Sequence, residues 1–323
     1  MDYLGYKMKT KKAVVCPLSK SEEVELVERI PLKELDALYR RLYNAPISRL
    51  YPDKDAIEMY RSKESELIWF EPLVPGDETF YNSLQEKSWY YVDHKHEFDV
   101  AAKFIAPTDS ILEVGSGKGN FGRFVKAGSY VGLDFSLKAK EMAAKNGVDV
   151  RNESIQDHAA SNPASYDVSC AFQVLEHVPD VYEFLKGMVD ALKPGGKLII
   201  AVPSEDSYIS KANNLALNLP PHHMSRYTDQ ALRNVCNYLP VELVALEHDP
   251  LQPQHYFDYP YQLTMEAFRL KIGQRYQSVN NSWFNKLLRA PATLLAKFLA
   301  PVFNRTNTPI GHTVVAVYTK KGV

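Results

Sequence analysis

Ile111-Leu-Glu-Val-Gly115-Ser-Gly117-Lys-Gly119-Asn-Phe-Gly122 decides how the rest of the chain is read. A short apolar segment runs straight into a glycine-rich turn that opens a helix, and glycine lets a ligand approach the backbone with no Cβ in the way. In one register Gly117-Lys-Gly119-Asn-Phe-Gly122 satisfies the dinucleotide pattern G-x-G-x-x-G, with Asp134 at the place of a ribose-binding acid. Glu113 argues for another ligand. It ends the strand two positions before the first glycine, where a carboxylate repels a pyrophosphate and favours the amino or sulfonium end of a cationic molecule. Asp134 closes the next apolar segment, Val131-Gly-Leu-Asp134, and a carboxylate there accepts both hydroxyls of a ribose. No G-x-x-x-x-G-K-S/T string occurs, which excludes a phosphate-binding P-loop.

Outward from this stretch, short apolar segments alternate with amphipathic ones, the signature of βαβ units and a parallel sheet. Strands are predicted at Ile111 to Val114, Tyr130 to Leu133, Tyr166 to Phe172, Lys197 to Val202 and Val241 to Leu246, with Gly311 to Tyr318 as a final alternating strand. Val181, Phe184, Leu185, Met188, Val189 and Leu192 form one helical stripe facing the sheet. Leu232, Val235, Cys236 and Leu239 form another behind Thr228 as N-cap, which makes Cys236 a core residue rather than a nucleophile. Before this region, Ser19-Lys-Ser-Glu22 reads as a capping box and Leu35, Leu38, Tyr39, Leu42 and Tyr43 recur at helical spacing. A strand near Leu67 to Phe70 and a turn at Pro75-Gly-Asp77 follow. The expected organisation is a helical extension or lid at 1–95, a core at 96–250, a helical cap at 251–309 and a last core strand at 310–323. Within the cap, an apolar stretch from Leu287 to Phe303 carries Lys286, Arg289, Lys297 and Arg305 and is interrupted by Pro291 and Pro301. A helical pair packed on its own protein is expected there; a cover over an apolar substrate or a contact with a membrane surface is the alternative.

Composition bounds the partners. The 38 basic and 39 acidic residues nearly cancel over 323 residues, so no electrostatic footprint for nucleic acid is evident. Cys16, Cys170 and Cys236 lie too far apart in sequence for a C-x-x-C zinc pair or a disulfide framework. Met1 to Cys16 lacks a secretory cleavage pattern, and no uncharged apolar run reaches the ~18 residues of a membrane span. A cytoplasmic location is expected.

Several segments, in order, resemble the class I S-adenosylmethionine-dependent methyltransferases, nearest to the branch of ubiquinone-type O-methyltransferases. The resemblance spans about Phe98 to Leu246 plus the last strand. Glu113-Val-Gly115-Ser-Gly117-Lys-Gly119 matches the first motif, Leu133-Asp134 the acidic end of the second strand, and Asn152-Glu-Ser-Ile-Gln156 the adenine-side segment. Tyr166-Asp-Val168 opens the fourth strand, Gln173-Val-Leu-Glu-His177-Val follows it, and Leu192-Lys-Pro-Gly-Gly196 precedes the fifth. Pro220-Pro-His-His223-Met-Ser-Arg-Tyr-Thr228 is similar to a substrate-side loop. The N-terminal zinc module of some members has no cysteines here and is not carried over.

The resemblance implies an α/β Rossmann-like fold with a seven-stranded, mostly parallel sheet and helices on both faces. It also implies S-adenosylmethionine as cofactor and a small or medium acceptor, methylated on oxygen before nitrogen or carbon. Glu113, Gly115, Ser116, Gly117 and Gly119 are then expected around the methionine and sugar, Asp134 at the ribose, Ser154 and Ile155 at the adenine, and Gln173 near the transferred methyl. A protonated acceptor calls for a base, and histidine with an ordinary pKa of ~6.5 suits a hydroxyl. His177, His222 and His223 are the candidates, with His223 favoured. Some members bind magnesium or manganese through Glu-x-x-Glu-His, but Gln173 stands at the first position here and hard ions prefer oxygen anions, so no metal is expected. The alternatives are a nicotinamide-dependent oxidoreductase and a catalytically silent binding module of the same fold.

Overall fold

The computed structural model describes residues 13–85, 94–303 and 310–322. In chain order the elements are β1 (Val24–Pro31), α1 (Leu32–Tyr43), β2 (Ala56–Ser62), β3 (Ile68–Glu71), α2 (Glu78–Gln85), α3 (His96–Ala102), β4 (Ser110–Val114), α4 (Asn120–Phe124) and β5 (Ser129–Leu133). They continue with α5 (Leu137–Lys145), β6 (Val150–Arg151), α6 (Ile155–Ser161), β7 (Tyr166–Phe172), α7 (Val181–Ala191), β8 (Leu192–Pro203) and β9 (Ser225–Arg226). The last are α8 (Asp229–Asn234), β10 (Val241–Pro250), α9 (Asp258–Lys271), α10 (Trp283–Phe303) and β11 (Ile310–Lys320).

The apolar segments predicted as strands assemble into a seven-stranded sheet ordered β10-β11-β8-β7-β4-β5-β6. β4 to β8 pair in parallel, and β11 inserts antiparallel between β8 and β10. Strands covered on both faces need apolar residues at every position, and β8 shows this. Leu198, Ile200 and Val202 pack in one core with α7, while Ile199 and Ala201 pack in the opposite core with Phe98, Phe121 and Phe172. α7 presents Val181, Leu185, Met188 and Val189 to the sheet, and Thr228 caps α8 by accepting from Ala231 N at 3.0 Å, both as the spacing indicates. The chain winds outward through β4, β5 and β6 and then returns to β7, so the strand order reverses between β4 and β7. Ligands of open α/β sheets bind outside the carboxyl ends of the strands at such a point.

Residues 13–85 differ from the helical extension expected. β1, β2, β3 and β9 form a four-stranded antiparallel sheet, with α1 packed through Leu35, Leu38 and Tyr39. Ser19 to Glu22 is a turn before β1, not a helix start: Lys20 N donates to Cys16 O at 3.0 Å and Lys20 has φ +59°. β1 is partnered by β2, some thirty residues downstream, so nothing local in its sequence reveals the pairing. α10 is also one helix, not a pair broken at Pro291. Ala292 and Ala296 are wholly buried on its inner face, while Trp283, Leu287, Leu294, Phe298 and Val302 project outward, 58–74% exposed. Packing on its own protein therefore accounts for only one side. No helix among the described residues is long and apolar enough to cross a membrane.

Candidate active site

The glycine turn lies at the β4–β7 reversal. Gly115 N and Ser116 N donate to Leu133 O at 2.8 and 3.0 Å, which ties the turn to the end of β5. Gly115 (φ +74°) and Gly119 (φ +77°) are required by backbone and packing alike, since an added Cβ would stand 2.4 Å from Val174 and 2.7 Å from Val148. Gly117 has φ +53° but open space beside it, with no atom within 4 Å of an added Cβ. Asp134 braces this open glycine: its Oδ2 accepts the Gly117 N–H at 2.8 Å and its Oδ1 the Ser136 N–H at 2.8 Å. Ser136 itself caps α5, taking Ala139 N on its Oγ at 3.2 Å. A carboxylate offers about four lone-pair sites, so the half-buried Asp134 keeps capacity for a further donor.

Ser154 caps α6, accepting from Asp157 N at 3.1 Å and donating to Asp157 Oδ2 at 2.6 Å. Ile155 is buried in the core against Gly187. Asn152 Nδ2 donates to the Asp134 carbonyl at 3.0 Å, which joins the adenine-side segment to the end of β5.

Several carboxyls are buried in the fold. Glu113, Glu97, Glu176 and Asp249 are each at most 4% exposed. The Tyr130 hydroxyl donates to Glu113, yet burial pushes that carboxyl up to about 8. Burial also raises Glu176 to about 8 and, helped by the charge of Glu97, Asp249 to about 7. Lys95 Nζ reaches Glu97 at 3.9 Å. Gln173, at φ +58° past the end of β7, donates to Glu97 Oε1 at 3.4 Å and to Thr313 Oγ1 at 3.3 Å. The open flank of Gly117 beside the Asp134 carboxylate therefore fits a sulfonium nucleoside.

The three histidines, 45 residues apart in sequence, converge. One ring nitrogen of each of His177, His222 and His223 lies within 4.8 Å of those of the other two. Their Nδ1 atoms are engaged: His177 with His222 O at 2.5 Å, His222 with Leu217 O at 2.9 Å and His223 with Asn218 Oδ1 at 3.1 Å. Carbonyl oxygens only accept, so each Nδ1 carries the proton and each Nε2 keeps its lone pair. Burial lowers His177 to about 4; burial and the neighbouring His177 lower His222 to about 3 and, with His222, hold His223 well below its ordinary value. All three are neutral at pH 7. Glu176 Oε1 lies 3.9 Å from the Nε2 atoms of His177 and His223, and neither Glu176 oxygen has a hydrogen-bond partner. Gln173 is turned away toward Glu97.

Sequence reasoning missed what supports this cluster. Arg226 is buried, paired with Glu205 at 3.2 Å, donates to Asn218 O at 2.9 and 3.2 Å, and lies 5.1 Å over the Phe70 ring. The Tyr39 hydroxyl reaches the Ala216 and Leu219 carbonyls at 2.6 and 2.8 Å, and Leu219 O accepts the His222 and His223 N–H groups. Phe70 N donates to Met224 O, and Met224 N to Glu176 O. The N-terminal sheet thus underpins the histidine loop. An arginine followed by a tyrosine carries no sequence signal of burial, so Arg226 could not be singled out. Tyr256 and Tyr259 pack with Tyr208 and Leu251. The Cys236 thiol is half-buried and raised by burial, in keeping with a packing residue.

Residues 85–239 match the family model of the methyltransferase domain. Over 173 residues, half of this chain, it is 27% identical to 70% of a ubiquinone biosynthesis O-methyltransferase of Klebsiella pneumoniae. Over 110 residues it is 32% identical to 46% of the protein of the same name from Xanthomonas campestris. A solved SAM-dependent methyltransferase from Archaeoglobus fulgidus is similar over 74% of this chain and all of that one, at 14% identity and a TM-score of 0.49.

Proposed function

We propose that this chain, which carries a class I S-adenosylmethionine-dependent methyltransferase domain, places a methyl group on a hydroxyl oxygen of a small or medium acceptor. The observation that carries the reading is the open flank of Gly117, braced by Asp134 where the strand order reverses. The relatives named O-methyltransferases support the choice of oxygen. S-adenosylmethionine supplies a methyl on a cationic sulfur whose departure leaves a neutral thioether. Gly115, Ser116, Gly117 and Gly119 shape the backbone against it, Asp134 accepts from the ribose, Ser154 and Ile155 border the adenine, and Gln173 stands on the acceptor side. Glu113, engaged by Tyr130, places a buried carboxyl behind the turn.

With a neutral leaving group, alignment supplies most of the acceleration, worth ~7–11 kcal/mol in ideal cases. The acceptor proton is taken at the histidine cluster, with His223 foremost, where a neutral Nε2 lone pair is available at pH 7. The Asp134 carboxylate occupies the Gly117 N–H that a pyrophosphate would otherwise take, which argues against a dinucleotide in the same place. The outward apolar side of α10, with exposed Lys286 and Lys297 and no acidic residue in the helix, supports docking of this face on an anionic lipid surface.

The test is incubation of the protein with cell extract and deuterated-methyl S-adenosylmethionine, read by mass spectrometry. A labelled ether or ester product that vanishes in Asp134→Ala supports the reading; label on nitrogen or carbon, or no label, overturns the assignment to oxygen.

A further inference from the structure

We propose that His177, His222 and His223, together with Glu176, form a binding site for a borderline divalent transition ion of the zinc type. The inference goes beyond methyl transfer and does not depend on it. Three features carry it. First, the Nδ1 atoms are all committed to carbonyl acceptors, at 2.5, 2.9 and 3.1 Å, which turns three Nε2 lone pairs loose from any proton. Histidine ligands of metals are oriented in this manner, with the other ring nitrogen donating to a carbonyl or carboxylate. Second, Glu176 is 1% exposed with both oxygens unpartnered, and Oε1 is 3.9 Å from two of the three Nε2 atoms. Three lone pairs facing a buried carboxyl with no hydrogen-bond partner form a donor set that a cation completes, the carboxyl losing its proton to solvent as the ion binds. Third, the cluster is held from behind: Arg226 fixes the Asn218 carbonyl, and Asn218 Oδ1 fixes His223.

The donor set decides the ion. Three imidazoles and one carboxylate suit zinc, cobalt or a similar ion, whereas magnesium and calcium call for oxygen cages. Zinc–nitrogen bonds of ~2.0–2.1 Å in a tetrahedron place donors about 3.4 Å apart, and nitrogens already within 4.8 Å reach that spacing by side-chain adjustment. The site stands past the ends of β7 and β8, on the carboxyl edge that carries the glycine turn. Expansion to five-coordination admits a substrate oxygen and lowers its pKa; with the ion bound the three Nε2 lone pairs are ligands, and the histidines act as a base only in the metal-free protein.

The test uses tag-free full-length protein stripped with a chelator and titrated with Co2+, followed by visible absorption. The expected result is one equivalent of Co2+ with the intense bands of a tetrahedral or five-coordinate site, displaced by Zn2+ and unaffected by a large excess of Mg2+. His222→Gln and Glu176→Gln weaken Co2+ at least tenfold. Asn218→Ala, which touches no ligand atom directly, weakens it ~10–100-fold, as loss of an outer hydrogen bond does. Melting curves confirm that each variant folds; if a ligand variant does not, the wild-type spectrum and Asn218→Ala still decide. A folded wild-type protein with no Co2+ bands overturns the proposal, as does binding that persists in His222→Gln or displacement by Mg2+. S-adenosylhomocysteine binding measured on the stripped protein is read separately, so failure of the metal site and failure of the transfer reading are distinguishable.

Discussion

Gly117→Ala separates a glycine kept for a ligand from one kept for the fold. Gly117 and Gly195 share a positive φ, +53° and +77°, and an added Cβ at either meets nothing within 4 Å. Alanine in the left-handed region costs ~1–2 kcal/mol at both, which lowers Tm by ~2–4 °C per kcal/mol in a domain of this size. Gly195 lies near the start of β8, at the opposite edge of the sheet from the glycine turn. The two variants are therefore expected to melt alike and bind differently. In Gly117→Ala the new methyl enters the space assigned to the cofactor, and S-adenosylhomocysteine affinity falls at least tenfold, ~1.4 kcal/mol. In Gly195→Ala it is unchanged. Gly115→Ala is a third case, because its Cβ would overlap Val174 at 2.4 Å. It adds ~1–3 kcal/mol of overpacking to the backbone cost, and Val174→Ala in the same chain recovers part of the loss. Denaturant melts and isothermal titration calorimetry make the comparison. Wild-type affinity in Gly117→Ala, or equal losses of affinity in Gly117→Ala and Gly195→Ala, refutes the placement of the ligand.

Arg226→Met strands the side chain of Glu205, 12% exposed, and is expected to cost ~3–5 kcal/mol in urea melts, with Arg226→Met/Glu205→Gln recovering much of it; equal stability of wild type and single variant counts against the buttress. The ligand-free protein is expected to lose stability between pH 6.5 and 8. Glu113 and Glu176 hold protons in the fold up to about 8, so the stability they confer below that point is lost as pH rises through it, ~2 kcal/mol each over 1.5 units. Below pH 6.5 His177 and His222, lowered to about 4 and 3, work in the other direction, because the unfolded chain takes up their protons first, and the profile flattens. A melting temperature that rises toward pH 8 contradicts this balance. Vesicles rich in anionic lipid are expected to sediment the wild-type protein at low salt and Phe298→Asp much less; no difference between the two removes α10 from membrane contact.

How far the sequence reached depended on the range of the determining interactions. β4, β7, β8 and β11 are apolar because the sheet is covered on both faces, and that property is written locally at Ile111, Val168, Leu198 and Val315. The glycine turn was legible for the same reason, since a positive φ at Gly115 and Gly117 leaves its mark on residue type. β1 was not legible, because most of it is exposed, and its pairing with β2 was not, because each is defined by the other across a long connection. The histidines could be named one by one, but their convergence depends on Leu217, Asn218 and the carbonyl of His222, which only the folded loop brings to the three Nδ1 atoms. For the same reason the donor set around Glu176 could not be counted from Gln173 to His177 alone. The Tyr130 bond to Glu113 lies across adjacent strands, at positions that no motif spacing connects.

The central claim is that the turn from Gly115 to Gly119, with Asp134, holds a sulfonium nucleoside. Titration calorimetry of the tag-free protein with S-adenosylhomocysteine and, separately, with NAD and NADP addresses it without knowledge of the acceptor. Saturable micromolar binding of S-adenosylhomocysteine, weakened in Asp134→Ala, with no heat from either dinucleotide, is the predicted result. Saturable heat from a dinucleotide, with none from S-adenosylhomocysteine, would contradict it.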